Sequence, residues 1–206
     1  MESQEELILR SARSVFLRKG LDGARMQEIA DEAGINKALL HYYFRNKEKL
    51  FQAVFNRVLN EFLPALWENF QSDVSLEQKI RSFVEIYFRL LSQNIFIPQF
   101  IISELNRDPQ GLKTFVDRLS DEVLKPSFSK LEAQIREEIR RKAIRPIDPY
   151  NLMVNIISMC IFPFLARPVL SQLLFEGKQE AYESFLEERK KHIPDFIMNS
   201  IRIQDI

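Results

Sequence analysis

Three of the chain's five glycines, Gly20, Gly23 and Gly34, fall within its first 34 residues. Glycine at that density marks tight turns between short elements, so the N-terminal stretch reads as a compact unit of short helices. Long helices follow it. Strict apolar/polar alternation with β-branched residues is absent throughout, and the fold expectation is all-α with about nine helices.

Local chemistry places the helix boundaries. Ser3 and Glu6 form a capping box ahead of an apolar face of Leu7, Ile8, Ala12, Val15 and Phe16, and Gly20 is expected to end that helix in a left-handed conformation. A second helix runs from about Met26 to Ala33 and stops at Gly34. Asn36 caps a third and Asn46 a fourth, which continues to near Pro64 or beyond. Ser75 with Gln78 is another capping pair. Asp108-Pro109 and Asp148-Pro149 each put a cap before a proline at the first helical position. The charged helix between them reaches about Arg141, with a bend expected at Pro126. Gly177 separates one apolar helix at about 149–175 from a last helix at about 178–204 with a kink at Pro194.

Apolar residues make up 46% of the chain and charged residues 28%, the balance of a globular protein able to bury a core. The 29 basic and 29 acidic side chains cancel, so a nucleic-acid binder of this composition must concentrate positive charge locally. A single cysteine, Cys160, excludes an intrachain disulfide and suits a reducing cytoplasm. The opening MESQEEL is acidic and carries no signal-peptide pattern. The most apolar segment, residues 152–170, is interrupted by Asn155, Pro163, Arg167 and Pro168 and reads as a buried or interface helix, with no membrane partner.

The second and third helices, joined at Gly34-Ile35-Asn36, make a helix-turn-helix pattern. With Leu40 centred on the buried face at about 100° per residue, Phe44 falls beside it and Tyr43 and Lys37 flank it. Ala38, His41 and Tyr42 point away. A small residue lets the backbone approach a partner, while His41 and Tyr42 offer polar tips on flat bodies that suit a major groove. Between Asn36 and Asn60, Lys37, Arg45, Lys47, Lys49 and Arg57 face only one acid, Glu48. Lys47 opens a helix whose N-terminus favours phosphate. Arg25 stands at the cap of the second helix without a capping oxygen. The same face could serve a protein partner instead, in a helical interaction module. Tyr43 and Phe44 are assigned to packing.

The run MQEIADEAGINKALLHYYFRNKEKLF resembles the N-terminal DNA-binding domain of TetR/AcrR-family transcriptional regulators. The resemblance rests on Ile29-Ala30, Ala33-Gly34-Ile35-Asn36, His41-Tyr42-Tyr43-Phe44 and Lys47-Glu48-Lys49-Leu50, over about residues 5–55. It implies a three-helix DNA-binding domain at 1–50 and a helical effector-binding and dimerisation domain at 51–206. It also implies contacts to a double-stranded operator from Arg25, Met26, Asn36, Lys37, Ala38, His41, Tyr42 and Lys47. Three positions depart from the family's usual residues: Arg25 for Thr or Ser, Asn36 for Ser, and Ala38 for Gly. The family's members act as cytoplasmic homodimers, most often repressors, released from pseudo-palindromic operators by a small molecule.

The rest of the chain is read from its apolar pattern. Met153, Ile157, Cys160, Ile161 and Phe164, then Phe185, Ile193, Ile197 and Ile201, form wide faces suited to an intersubunit four-helix bundle or to monomer core. Phe83, Tyr87, Phe96, Phe100 and Glu104, with Met153 and Ile157, are the candidate walls of an effector cavity. The run REEIRRK at 136–142 reads as a solvated face with i,i+4 pairs, and RKKH at 189–192 as a solvated face or a second basic patch. Neither His41 nor His192 falls in a metal-ligand spacing, no phosphate-cradling glycine loop or nucleophile elbow occurs, and Cys160 lies in an apolar run. Neither an enzyme nor a cofactor or metal is expected.

Overall fold

The computed structural model describes residues 3–95, 98 and 125–203. Phe96, Phe100, Glu104 and the Asp108-Pro109 pair lie outside them. Among the described residues there are nine α-helices and no β-strand. They belong to two compact units, the first holding residues up to Leu63 together with 94, 95 and 98, and the second holding Pro64–Gln93 and residues 125–203.

In the first unit, α1 (Gln4–Gly23) starts at the Ser3 box: Glu6 N–H donates to Ser3 Oγ, and Ser3 N–H donates to the Glu6 carboxylate at 2.9 Å. Gly20 adopts a positive φ of 67°, but with ψ at 179° it interrupts the helix without ending it, and the chain turns helical again to Gly23. Only glycine takes that combination without strain. Next come α2 (Met26–Glu32), α3 (Lys37–Tyr43) and the start of α4 (Lys47–Gln71), whose residues are shared between the two units. Ile8, Phe16, Ile29, Leu40, Leu50 and Phe51 are fully buried, and the rings of Phe16 and Phe51 meet edge to face at 4.7 Å. Burying each such side chain stabilises the unit by about 1.5–3 kcal/mol, more than any surface ion pair.

The second unit contains α5 (Leu76–Gln93), α6 (Lys125–Arg140), α7 (Pro149–Leu165), α8 (Arg167–Phe175) and α9 (Gln179–Ile201). Ser75 and Gln78 cap α5 reciprocally, and the Asp148 carboxylate accepts from Asn151 N–H at 2.8 Å with Pro149 behind it. The Lys79 ammonium, 2% exposed, donates to the Phe70 carbonyl at 2.9 Å and so caps the end of α4 from inside. Burial holds its pKa below the ordinary lysine value. Pro126 is the second residue of α6, so the bend expected there falls at the edge of the described residues. The pairs Glu132–Arg136, Glu137–Arg140 and Glu137–Arg141 line the solvated side of α6.

The single apolar helix expected at 149–175 is two helices, α7 and α8, bent by 76° at Ala166. Pro168 explains the break. Continued helix would drive its ring into the Phe164 carbonyl and would lack a donor for it. The last carbonyls of α7 then need other partners. Phe162 accepts from Ala166 N–H, and Pro163 accepts from the Tyr182 hydroxyl of α9 at 2.5 Å, inside the core. No single helix among the described residues is long and apolar enough to cross a membrane.

The structure separates two pairs of readings that the sequence leaves open. Cys160, Phe164, Ile193, Ile197 and Ile201 are buried within the second unit, because the inner faces of α7 and α9 pack on α5 and on each other. Ile157 of the same faces is exposed, as are Val154 and Phe162 on α7, Phe196 on α9, and Val169, Leu173 and Leu174 on α8, a helix with no buried residue. The RKKH segment is not a free basic patch, since Lys190 pairs with Glu85 and Glu187, and Lys191 with Glu188.

Candidate nucleic-acid interface

The turn between α2 and α3 is built by backbone bonds that glycine makes possible. Gly34 N–H donates to the Asp31 carbonyl at 3.1 Å and Ile35 N–H to the Ala30 carbonyl at 3.0 Å, with Gly34 at φ 66°. This paired closure satisfies the end of α2 and turns the chain sharply. Asn36 then takes an extended conformation, and its side chain accepts from Leu39 N–H at 2.7 Å to start α3. At the far end Phe44 leaves the helix at φ −132°, and the Asn46 side chain accepts from Lys49 N–H at 2.8 Å to open α4.

Two ion pairs fix α2 against α1. Arg18 meets Glu32 at 2.8 Å with Ser14 joining them, and Lys19 meets Glu28 at 2.5 Å. These hydrogen bonds hold the Glu32 and Glu28 carboxyls below the usual carboxylate range. The pairs are solvated, so their effect is to orient the helix more than to stabilise it.

On this frame α3 buries only Leu40 and presents Lys37, Ala38, His41 and Tyr42 to solvent, with Tyr42 81% exposed. The His41 ring is held, its Nδ1 lying 3.2 Å from the Arg45 carbonyl. Tyr43, assigned to packing from its angular position, is 39% exposed and meets the Tyr42 ring edge-on at 5.6 Å, whereas Phe44 is buried. The chain leaves the helix directly after Tyr43, so no neighbouring turn covers that flank. Arg25 is exposed at the start of α2 with no side-chain cap, and Met26 beside it is half-buried. Lys47 is half-buried, its ammonium donating to the Asp22 carbonyl at 3.3 Å. Asn36, Arg45 and Lys49 are exposed. The arrangement is an exposed basic and aromatic helix face carried on a closed apolar core.

The candidate effector residues separate in the second unit. Phe83 is buried between Phe70 and Tyr87, at ring distances of 5.3 and 5.6 Å. With Lys79 and Met153 it lines an internal void of only about 10 Å³. Met153 and Ile157 share a larger cavity of about 450 Å³ with Phe70, Phe128, Tyr150 and Val154. Tyr87 lines neither, and burial raises its hydroxyl pKa. Lys125, Ser129 and Glu132 supply the polar rim of the larger cavity, a signal too dispersed in sequence to have been read. Cys160 is an inert thiol, its pKa pushed up to about 12 by burial. Among the described residues no group of three or more His, Cys, Asp or Glu side chains could hold a metal ion.

Comparison with known proteins agrees with this geometry. Residues 8–54 match the family model of bacterial regulatory proteins, tetR family. The HTH-type transcriptional regulator RutR of Escherichia coli is 26% identical over 156 residues, covering 76% of this chain and 71% of that protein. The HTH-type transcriptional regulator YttP of Bacillus subtilis is 22% identical over 193 residues, covering 91% of each. Among solved structures, the hemolysin II transcriptional regulator HlyIIR has the same fold, with a TM-score of 0.60 and 22% identity over 98% of both chains. Residues 8–54, which contain the helix-turn-helix, thus match the tetR-family segment of bacterial regulatory proteins, and the chain is similar to the transcriptional regulators RutR and YttP over most of its length.

Proposed function

We propose that the protein is a ligand-responsive repressor that binds a pseudo-palindromic operator as a homodimer. The observation that carries the DNA half is the α3 face: Lys37, Ala38, His41 and Tyr42 stand in solvent while Leu40 alone is buried. Two such helices enter successive major grooves, with Asn36, Lys37, Ala38, His41 and Tyr42 at bases or their flanking phosphates. Arg25, Met26 and Lys47 set the register on the backbone. Repression is the sign of one relative, the Staphylococcus epidermidis negative regulator IcaR, 28% identical over 59% of this chain.

Dimerisation is supported by the exposed apolar set Phe162, Val169, Leu173 and Leu174. Large apolar side chains left exposed on one short helix, as Leu173 and Leu174 are on α8, suit a protein contact. The effector occupies the cavity of about 450 Å³ bordered by Met153, Ile157 and Tyr150, a size that suits a small apolar molecule. Its differential affinity for the two states of the dimer need be only a few kcal/mol to release DNA.

Selection of genomic fragments by the purified protein at near-physiological salt tests the reading. An enriched inverted repeat is expected, and ligands that quench Tyr150-side fluorescence probes should release it. Weak, salt-sensitive retention without sequence preference would refute the operator. Leu173→Glu should convert dimers to monomers by light scattering and weaken binding to the repeat far more than to a single half-site.

A further inference from the structure

We infer that His41 is a specificity-determining residue that reads an exocyclic amino group of adenine or cytosine through Nε2 acting as an acceptor, its tautomer being set by the Arg45 carbonyl. The inference rests on the DNA-binding reading of α3 and adds to it the hydrogen-bond sense of one contact.

The chemistry follows from one bond. His41 Nδ1 lies 3.2 Å from the Arg45 carbonyl oxygen. A backbone carbonyl can only accept, so Nδ1 carries the proton. In the neutral ring the other nitrogen, Nε2, then has a lone pair and no hydrogen. The Arg45 carbonyl is placed for this because the chain has already left α3 at Phe44, in an extended conformation, before Asn46 starts the next helix. His41 itself is exposed beside Ala38 and Tyr42.

An acceptor at the floor of a major groove is selective. Adenine N6 and cytosine N4 offer hydrogens there, whereas guanine N7 and O6, thymine O4 and the phosphate oxygens are themselves acceptors. The Nδ1-protonated ring therefore meets an amino group favourably and faces the other groups with lone pair against lone pair. The bond to Arg45 also disfavours, by the worth of one hydrogen bond, the sense that a freely rotating histidine could offer, with its N–H toward guanine or phosphate.

Two measurements on the full chain test this. The first is long-range ¹H–¹⁵N correlation of histidine-labelled protein at about pH 8, above the ordinary imidazole range. A His192→Gln variant assigns the two rings. The Nδ1-protonated form is expected at His41, and a dominant Nε2-protonated form overturns the inference while leaving DNA binding untouched. The second uses duplexes enriched by the wild-type protein. Purine in place of one adenine, or 2-pyrimidinone in place of one cytosine, removes the amino group. At one position in each half-site this should weaken wild-type binding about tenfold, the size of a buried acceptor left unpaired, and should leave His41→Ala unaffected. A His41-dependent loss that follows 7-deaza replacement instead, where only the N7 acceptor is removed, overturns it. Failure to enrich any duplex overturns the DNA-binding reading and the base contact with it; the tautomer is still read independently by the first measurement.

Discussion

Removing one oxygen atom at Tyr182 should loosen the junction between α7 and α8. The ring of Tyr182 is fully buried, and its hydroxyl supplies the donor for the Pro163 carbonyl at 2.5 Å. Phenylalanine would keep the ring's contacts with Phe175 at 5.6 Å and Phe185 at 5.7 Å, and the Arg167 guanidinium over its face at 5.6 Å. No cavity larger than a hydroxyl opens, so the change isolates the hydrogen bond. The carbonyl cannot recover an intrahelical partner because the helix ends at Leu165 and Pro168 prevents its continuation. A buried carbonyl without a donor is worth about 1–3 kcal/mol. For a chain of this size that corresponds to a fall in Tm of roughly 2–4 °C per kcal/mol, hence about 4–8 °C for a loss near 2 kcal/mol. Thermal unfolding of Tyr182→Phe followed by circular dichroism, at matched protein concentration, reads it directly. A Tm within about 1 °C of the wild type would refute the assignment of that bond as the partner of the broken helix end.

Gly34→Ala meets no atom within 4 Å of the added methyl, so its whole effect is the strain of φ 66°, roughly 1–2 kcal/mol by urea unfolding. An unchanged midpoint would show that the turn relaxes. Lys47→Ala should lower the slope of log K against log salt by about one unit and weaken specific and non-specific DNA alike; a loss confined to one sequence would make it a base reader. Burial raises the Cys160 thiol from 9.0 to about 12, so the unfolded chain loses that proton first. The corresponding stability is complete below about pH 9 and falls as pH rises toward 12, by up to about 4 kcal/mol. In Cys160→Ala the fall between pH 9 and 10 should be shallower, as read from urea midpoints.

What could be read in the sequence was the chemistry that acts over three or four residues. Ser3, Asn36, Asn46, Ser75 and Asp148 each cap the helix they were expected to cap, because a cap bond needs only its own turn. The break at Ala166 was not read. Pro163 and Pro168 lie five residues apart in one apolar run, and the helix accommodates the first but breaks before the second. The direction of α7 was equally hidden, since Leu152 and Ile156 face the core while Val154 and Phe162 face out, and both stripes are apolar. At α3, the exposure of Ala38, His41 and Tyr42 follows from a 3.6-residue period around Leu40. The exposure of Tyr43 and the bond that orients the His41 ring do not, because both depend on where the backbone departs after the last turn.

The outward position of α8 has a consequence in mass action. Its apolar side chains, Leu173 at 74% and Leu174 at 63% exposure, contribute almost nothing to the core of the second unit. A partner that covers them is linked to folding. Each tenfold rise of that partner above its dissociation constant adds about 1.4 kcal/mol to the stability of the subunit it covers. When this face binds a second copy of the chain, the melting temperature becomes a measure of protein concentration, and dilution exposes the protein to unfolding before any ligand or DNA is involved.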